Sequence, residues 1–128
     1  MNDNLIFYRC PVCGNLVGMI LDSGVNPVCC GQPMERLSAN TTDGATEKHV
    51  PVFFRYGDTF TVAVGKTPHP MTDAHSIQWI CLQTDRGIHR RILRPGESPE
   101  ACFMLCRDET PLRVWAYCDI HGLWSADC

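Results

Sequence analysis

Four cysteines in the first 30 residues have the spacing of a metal-binding cluster. Cys10 and Cys13 are separated by two residues, and Gly14 follows them. This spacing lets both sulfurs reach one ion while the backbone N–H groups of the turn point at them, and glycine tolerates the tight turn. Cys29 and Cys30 supply a second pair. Four thiolates suit a tetrahedral iron or zinc ion.

The second cysteine pair is unusual because its members are adjacent. Zinc ribbons normally use the two-residue spacing twice. Adjacent cysteines can bind one ion only with a widened S–metal–S angle, so we expect a distorted tetrahedron. Spacing alone does not decide between redox iron and structural zinc, and recombinant protein can carry zinc in such a site. Disulfides are a further alternative, disfavoured in a reducing compartment.

A second candidate site combines histidine with cysteine. Cys118 and His121 have a two-residue spacing that lets both reach one ion, and we group them with His49, His69 and His75. Any one histidine alone is more often a surface or core side chain, so the prediction depends on the set. Structural zinc rarely uses more than four ligands. Four imidazoles and a thiolate with a vacant position favour a redox-active iron that can bind a small molecule.

Two charged residues directly precede His49, and a fifth histidine lies outside the candidate set. Lys48 could attract an anion to the vacant position, and such steering raises association rates. Glu47 could occupy that position as a carboxylate once the iron is ferric, although a solvated charged pair is the simpler interpretation of these two residues. His89 fits no ligand spacing and is interpreted as a solvated strand residue.

Composition supports a metalloprotein. The 128 residues include nine cysteines, are 45% hydrophobic and carry a net charge of −3. This charge, without any polybasic run, argues against nucleic-acid binding. The longest apolar stretch is too short to cross a membrane. The first residues lack the features of a signal peptide, so we expect a cytoplasmic protein whose cysteines are ligands rather than disulfides.

The sequence predicts that the elements that position these ligands are β-strands. Alternation of apolar and other residues over 60–65, 77–81 and 113–118 predicts three of them, with turn residues between. No long amphipathic helix is evident. Residues 1–37 are too few to build a core and would need a metal. Residues 38–46 are small and polar and predict a linker. Residues 47–128 predict a small β-sandwich.

These motifs together resemble one protein family. The segments around Cys10–Cys13 and Cys29–Cys30 resemble desulforedoxin and the first domain of desulfoferrodoxin. Glu47-Lys48-His49, His69-Pro-Met, His75 before Ile77-Gln-Trp-Ile, and Cys118-Asp-Ile-His121-Gly-Leu-Trp resemble the superoxide reductase domain. The resemblance covers essentially the whole chain, in the same order.

The resemblance implies a mainly β protein with a rubredoxin-like domain followed by an immunoglobulin-like β-sandwich. It implies two irons per chain, one held by four cysteines and one held by four histidines with Cys118 axial, and a homodimer. It further implies that superoxide is reduced to hydrogen peroxide in an anaerobe or microaerophile, with Glu47 and Lys48 beside the open face. Rubredoxin is the usual electron donor in this family.

Some features lie outside this pattern. Cys81, Cys102, Cys106 and Cys128 are not family ligands and are interpreted as small buried hydrophobes or free thiols. The sequence leaves three other functions open: a non-catalytic two-iron electron-transfer protein, a zinc-stabilised interaction module, and a superoxide dismutase that cycles the same iron in both directions.

Overall fold

The computed structural model describes residues 5–42 and 44–128. Contacts between Cα atoms divide the chain into two compact units, Met1–Ser38 and Ala39–Cys128. The boundaries of the domains and of the linker that the sequence predicted remain predictions. No helix in the described part of the chain is long and apolar enough to cross a membrane.

The first unit consists of short strands. β1 (Ile6–Arg9) is central in a three-stranded sheet of order β2-β1-β5, with β2 at Leu16–Met19 and β5 at Glu35–Arg36. β3 (Val28–Cys29) and β4 (Gln32–Pro33) form a separate hairpin. Among the described residues of this unit, one hydrophobic cluster comprises Ile6, Tyr8, Cys10 and Met34. One of these four residues is itself a predicted metal ligand.

The second unit is a β-sandwich. A four-residue helix, α1 (Thr46–His49), precedes strands β6 (Pro51–Tyr56), β7 (Thr59–Val64), β8 (Ile77–Thr84), β9 (Ile88–Ile92), β10 (Glu100–Met104), β11 (Pro111–Cys118) and β12 (Gly122–Asp127). One antiparallel sheet has the order β10-β7-β6, and the other has the order β12-β11-β8-β9. The predicted mainly β architecture is therefore confirmed, and the three predicted strands are β7, β8 and β11.

The inner faces of the two sheets form one apolar core. Alternation on β7 buries Phe60, Val62 and Val64, as period-two patterning requires. β8 breaks this alternation, because Ile77 and Ile80 both belong to the core although they are three residues apart. The pairing of β8 with β11 shifts register between Tyr117 and Cys118, which accounts for the change of face. This irregularity lies at the end of the sandwich where Cys118 and His75 meet.

Candidate metal centres

The four cysteines of the first unit converge. Their sulfurs all lie within 4.8 Å of one another. The distance between the Cys13 and Cys29 sulfurs is 3.7 Å, and that between the Cys29 and Cys30 sulfurs is 3.9 Å. The backbone N–H groups of Val12 and Cys13 both point at the Cys10 sulfur, at 3.4 Å, as expected for a two-residue spacing.

Backbone geometry explains how adjacent cysteines reach the same point. Cys30 has φ 53°, in the left-handed region that residues other than glycine rarely adopt, and Gly31 has φ 75°. Consecutive residues of an extended chain project to opposite sides. The left-handed turn at Cys30 instead returns its sulfur to the side of Cys29.

The thiols of Cys10 and Cys30 have pKa values that are shifted in opposite directions. The backbone N–H of Cys13 is the main cause that lowers the pKa of Cys10 to about 6. The shared hydrogen bond with the Cys13 thiol is the main cause that raises the pKa of Cys30 to about 12. Four neighbouring thiolates repel one another, so all four can ionise together only around a cation.

The second centre gathers residues from four separate segments at one end of the sandwich. His49 ends α1, and His69 lies in the loop after β7. His75 precedes β8, whereas Cys118 ends β11 and is followed by His121 in the turn to β12. Of the five residues that the sequence grouped, His49, His75, Cys118 and His121 have donor atoms within 4.8 Å of one another. The fifth, His69, adjoins this group through His49.

The donor atoms of this centre are close enough to share one ion. Nε2 of His49 lies 3.1 Å from Nε2 of His69 and 3.0 Å from Nδ1 of His121. Nε2 of His75 lies 3.2 Å from the Cys118 sulfur. The sulfur in turn is 3.9 Å from Nδ1 of His121.

Backbone carbonyls fix which ring nitrogens face inward. Nδ1 of His49 lies 2.7 Å from the carbonyl oxygen of Ala45, and Nδ1 of His69 lies 2.6 Å from that of Pro70. A carbonyl only accepts, so each Nδ1 must carry the proton and donate it. Each Nε2 then presents a lone pair to the interior.

These inward lone pairs have no proton between them. Burial is the main cause that lowers the pKa of both histidines, that of His69 to about 4, so both rings are neutral near pH 7. Two neutral acceptor nitrogens 3.1 Å apart repel each other. A metal ion relieves this repulsion, so the donor set and its tautomers fit a resident cation.

Cys118 is a fully buried thiol at the same centre. Burial is the main cause that raises its pKa, and the neighbouring charge of Asp119 acts in the same direction. The backbone N–H of His121 points at its sulfur at 3.4 Å and opposes this effect. The thiol therefore keeps its proton until a cation binds and displaces it.

A glycine joins the two segments that carry His49 and His69. Gly65 has φ 84°, and a Cβ atom there would lie 2.7 Å from the carbonyl oxygen of Glu47. Its N–H donates to the carbonyl of Val50, and the N–H of Thr67 donates to that of Glu47. α1 and the loop that carries His69 can pack this closely only because residue 65 has no side chain.

Glu47 and Lys48 lie on the surface of α1, directly before the buried His49. Glu47 also lines a surface cavity of about 300 Å³ together with Thr46, Val50, Val52 and Lys66. Both charged side chains are exposed, as the sequence predicted. Their assignment as catalytic residues remains a prediction.

Other sequence interpretations have mixed outcomes. Cys81 is buried, whereas Cys102, Cys106 and Cys128 are exposed, and all four are free thiols. His89 lies on β9 and does not belong to the histidine–cysteine cluster, but it is not simply solvated. Its Nε2 is 2.8 Å from a carboxylate oxygen of the buried Glu109. No local sequence signal indicates this pair, because its members are 20 residues apart.

Comparison with protein families gives consistent matches over both units. Residues 41–127 match the family model described as desulfoferrodoxin, and residues 3–37 match that described as desulfoferrodoxin, N-terminal domain. A desulfoferrodoxin from Syntrophotalea carbinolica is 46% identical over 99% of both chains. A desulfoferrodoxin homolog from Archaeoglobus fulgidus is 44% identical over 98% of this chain and 99% of its own.

Solved structures show the same fold. The superoxide reductase from Treponema pallidum is 34% identical, with a TM-score of 0.83 over 97% of this chain and 99% of its own. A one-iron superoxide reductase from Giardia intestinalis is 31% identical, with a TM-score of 0.56 over 64% of this chain and 97% of its own.

Proposed function

The chain belongs to the desulfoferrodoxin family, and on this basis we propose that it is a superoxide reductase. The reaction adds one electron and two protons to superoxide and gives hydrogen peroxide. The observation that carries the proposal is the convergence of four imidazoles and one buried thiol beside an exposed lysine. The superoxide reductase fold of the solved relatives supports it.

We propose that iron occupies both centres. His49, His69, His75, His121 and Cys118 would hold one ion, and Cys10, Cys13, Cys29 and Cys30 would hold the other. Ferrous iron in the histidine–cysteine centre would supply the electron that superoxide takes up. Five protein donors leave a sixth coordination position for a small ligand, and zinc can replace iron in the four-cysteine centre of recombinant protein.

Lys48 is proposed to attract the substrate. Superoxide is an anion, and the chain as a whole is negative, so a local positive charge is needed at the entrance. Lys48 is exposed and adjacent in sequence to His49, so its charge lies at the surface of the centre. It can bring superoxide to the site and hold it there without touching the imidazoles.

Glu47 is proposed to control access to the same position. Its side chain is exposed on α1, one residue before Lys48. A carboxylate is a good oxygen ligand for ferric iron, so Glu47 could fill the sixth position after the electron has left. It would thereby exclude water and other anions until the centre is reduced again.

Cys118 is proposed to raise the electron density at the ion. A thiolate is a stronger electron donor than imidazole. The His121 N–H directed at the sulfur moderates this donation, and the complete burial of Cys118 excludes water from the bond.

The partners belong to the same proposal. An electron donor such as rubredoxin would reduce the centre again after each turnover, and the protein would act as a homodimer. We propose that the reaction takes place in the cytoplasm, because a reducing compartment favours cysteines as metal ligands or free thiols over disulfides.

The test is to add superoxide to the reduced, iron-loaded protein without oxygen and to quantify peroxide and dioxygen. Peroxide without matching dioxygen, together with loss of the ferrous state, supports the reductase. Equal amounts of peroxide and dioxygen, with the iron unchanged, indicate a dismutase. Decay of superoxide at its uncatalysed rate contradicts an enzyme and favours the electron-transfer protein.

A further inference from the structure

We propose that Trp124 is a positioning residue that holds two of the imidazoles, those of His49 and His121, in the arrangement that binds the metal. Trp124 lies on β12 and its side chain is 3% exposed. It donates no atom to the centre. Its three contacts connect segments that are far apart in the sequence.

The first contact is between rings. The centroids of the Trp124 and His49 rings are 4.9 Å apart, with an angle of 30° between their planes. The His49 ring also meets that of His121 edge-on, at 4.7 Å and 90°. His49 is therefore confined by the indole in addition to the carbonyl of Ala45 that accepts from its Nδ1.

The second contact is a hydrogen bond to the backbone of the other ligand. The indole N–H of Trp124 donates to the carbonyl oxygen of His121, at 3.1 Å. The hydroxyl of Thr42 donates to the same oxygen. Two donors on one carbonyl fix the turn between β11 and β12, and this turn determines where Nδ1 of His121 points.

The third contact is with Gly44. A Cβ atom there would lie 3.1 Å from Cζ2 of Trp124 and 3.3 Å from Cβ of His121. These distances are shorter than ordinary van der Waals contact, so the absent side chain is what lets this segment lie against both residues. Trp124 is thus enclosed between His49 on one side and Gly44 on the other.

Through these contacts, Trp124 helps to set the distance between the donor nitrogens of His49 and His121. His49 and His121 are 72 residues apart, yet their donor nitrogens are 3.0 Å from each other. Residues that orient metal ligands from outside the coordination shell typically contribute about 10- to 100-fold to metal affinity. Without the indole, His49 gains freedom to rotate and the carbonyl of His121 loses a donor.

The inference concerns metal binding and holds whether or not superoxide is the substrate. The matched variants are Trp124→Leu and Trp115→Leu. Trp115 is equally buried in the same sandwich, at 4% exposed, but its indole N–H faces Gln83 instead of a ligand. Both variants remove a large buried side chain, so both lower the stability of the sandwich.

The experiment challenges the reduced, iron-loaded full chain with increasing concentrations of a ferrous chelator. The paramagnetically shifted imidazole N–H resonances report the histidine–cysteine centre, because the four-cysteine centre has no imidazole. Trp124→Leu should release this iron at a chelator activity about 10- to 100-fold lower than the parent requires, with the shifts of the remaining resonances altered. Trp115→Leu should release it as the parent does.

Equal iron retention by Trp124→Leu and the parent would overturn the inference. Equal weakening by Trp115→Leu would also overturn it, because the effect would then be one of general stability. A parent that shows no shifted imidazole resonances contradicts the metal centre itself, and hence the proposed function.

A conservative variant separates the two parts of the contact. Trp124→Phe keeps an aromatic ring against His49 but removes the indole N–H that holds the carbonyl of His121. Its iron affinity should lie between those of the parent and Trp124→Leu. No recovery relative to Trp124→Leu would contradict the role assigned to the ring.

Discussion

The two candidate metal centres each bring several ligands to one point, but the units that hold these ligands have hydrophobic cores of very different size. The four-cysteine centre lies in a 38-residue unit whose hydrophobic cluster has four members among the described residues, one of them the candidate ligand Cys10. The histidine–cysteine centre lies at one end of a sandwich whose core cluster has thirteen described members, one of them the candidate ligand Cys118. In the first unit the ion must contribute to the fold, whereas in the second the fold already holds the ligands in place.

Metal removal should have the largest effect and should separate the two units. A unit of about 40 residues rarely folds without a metal or disulfides, so residues 5–38 should lose their ordered structure when both irons are removed. Residues 44–128 should stay folded because their core does not depend on the ion. Amide hydrogen exchange, measured residue by residue, checks this.

Amide protection that persists over β1 and β2 in the metal-free protein would contradict the claim that the first unit needs the metal to fold. Loss of protection over β7, β8 and β11 would contradict the claim that the sandwich folds without it. Zinc added back should restore protection in the first unit, since a four-thiolate centre accepts either metal.

Substitution of a single ligand in either centre should show which of the two centres reduces superoxide. Cys118→Ser should abolish the thiolate charge-transfer absorption of the histidine–cysteine centre and superoxide reduction, because a hydroxyl is a far weaker donor than a thiolate. Cys13→Ser should disable the first centre and leave superoxide reduction by prereduced protein largely intact. Anaerobic mixing with superoxide, followed by absorption, measures both.

Cys102→Ser is the matched control, since Cys102 is an exposed free thiol on β10. It should behave as the parent. If Cys118→Ser keeps both the absorption band and the activity, Cys118 is not a ligand. If Cys13→Ser abolishes the activity of prereduced protein, the first centre is not auxiliary.

Electrostatic steering by Lys48 is proposed only for the histidine–cysteine centre, and substitution of this lysine tests it. Lys48→Ala should slow capture of superoxide by about tenfold at low ionic strength, the lower end of what electrostatic steering provides. The deficit should shrink as salt is added, because salt screens the exposed charge in the parent. Rapid mixing at several ionic strengths measures both effects.

Lys48→Arg keeps the charge and should retain most of the capture rate. If Lys48→Ala captures superoxide as fast as the parent at low salt, the lysine does not steer. A deficit that is independent of salt would point to a contact in the site rather than to steering.

Much of both centres could be predicted from the sequence, because cysteine and histidine are rare enough for their spacing to be informative. Eight of the nine candidate ligands fall into the two clusters assigned to them, and the ninth, His69, lies against His49 of the second cluster. Alternation predicted strands β7 and β11, and the burial of β7 retains it. On β11 the alternate residues Val114, Ala116 and Cys118 belong to the core, although the residues between them are buried as well. Short-range pattern was sufficient for these features.

The features that the sequence missed depend on backbone groups and on strand pairing, which no residue type or local pattern indicates. The change of face on β8 follows from a register shift with β11, which no pattern within β8 indicates. The choice of ring nitrogen depends on the carbonyls of Ala45 and Pro70, which every residue possesses. Gly65 carries a backbone requirement that becomes visible only when α1 is packed against it.

A third polar cluster lies at the other end of the sandwich and differs from the two metal centres. Its groups satisfy one another by hydrogen bonds and need no metal. The carboxylate of Glu109 is 5% exposed and accepts from the Thr84 hydroxyl at 2.6 Å and from the Cys106 N–H at 3.1 Å. It also pairs with His89. The hydrogen bond from Thr84 is the main cause that lowers its pKa from 4.5 to about 2, and the bond to His89 follows.

The smallest expected effect is therefore a dependence of stability on acid. A carboxylate whose pKa is lowered by folding stabilises the folded state above its unfolded pKa, and this contribution is lost as the pH falls through its folded pKa. Glu109→Gln should lower the free energy of unfolding by about 1–3 kcal/mol near pH 7. The difference between parent and variant should narrow between about pH 4.5 and pH 2.

Denaturant unfolding at several pH values, with identical metal loading, measures this difference, and acid-induced metal loss cancels because both proteins share it. Glu100→Gln on β10 is the control, since residue 100 is exposed and should change stability little at any pH. A difference for Glu109→Gln that stays constant down to pH 2 would mean that the carboxylate is not stabilised by its charge. The Glu109 cluster would then stabilise the fold through packing alone. It would differ from the metal centres in the magnitude of its contribution and not in a dependence on charge.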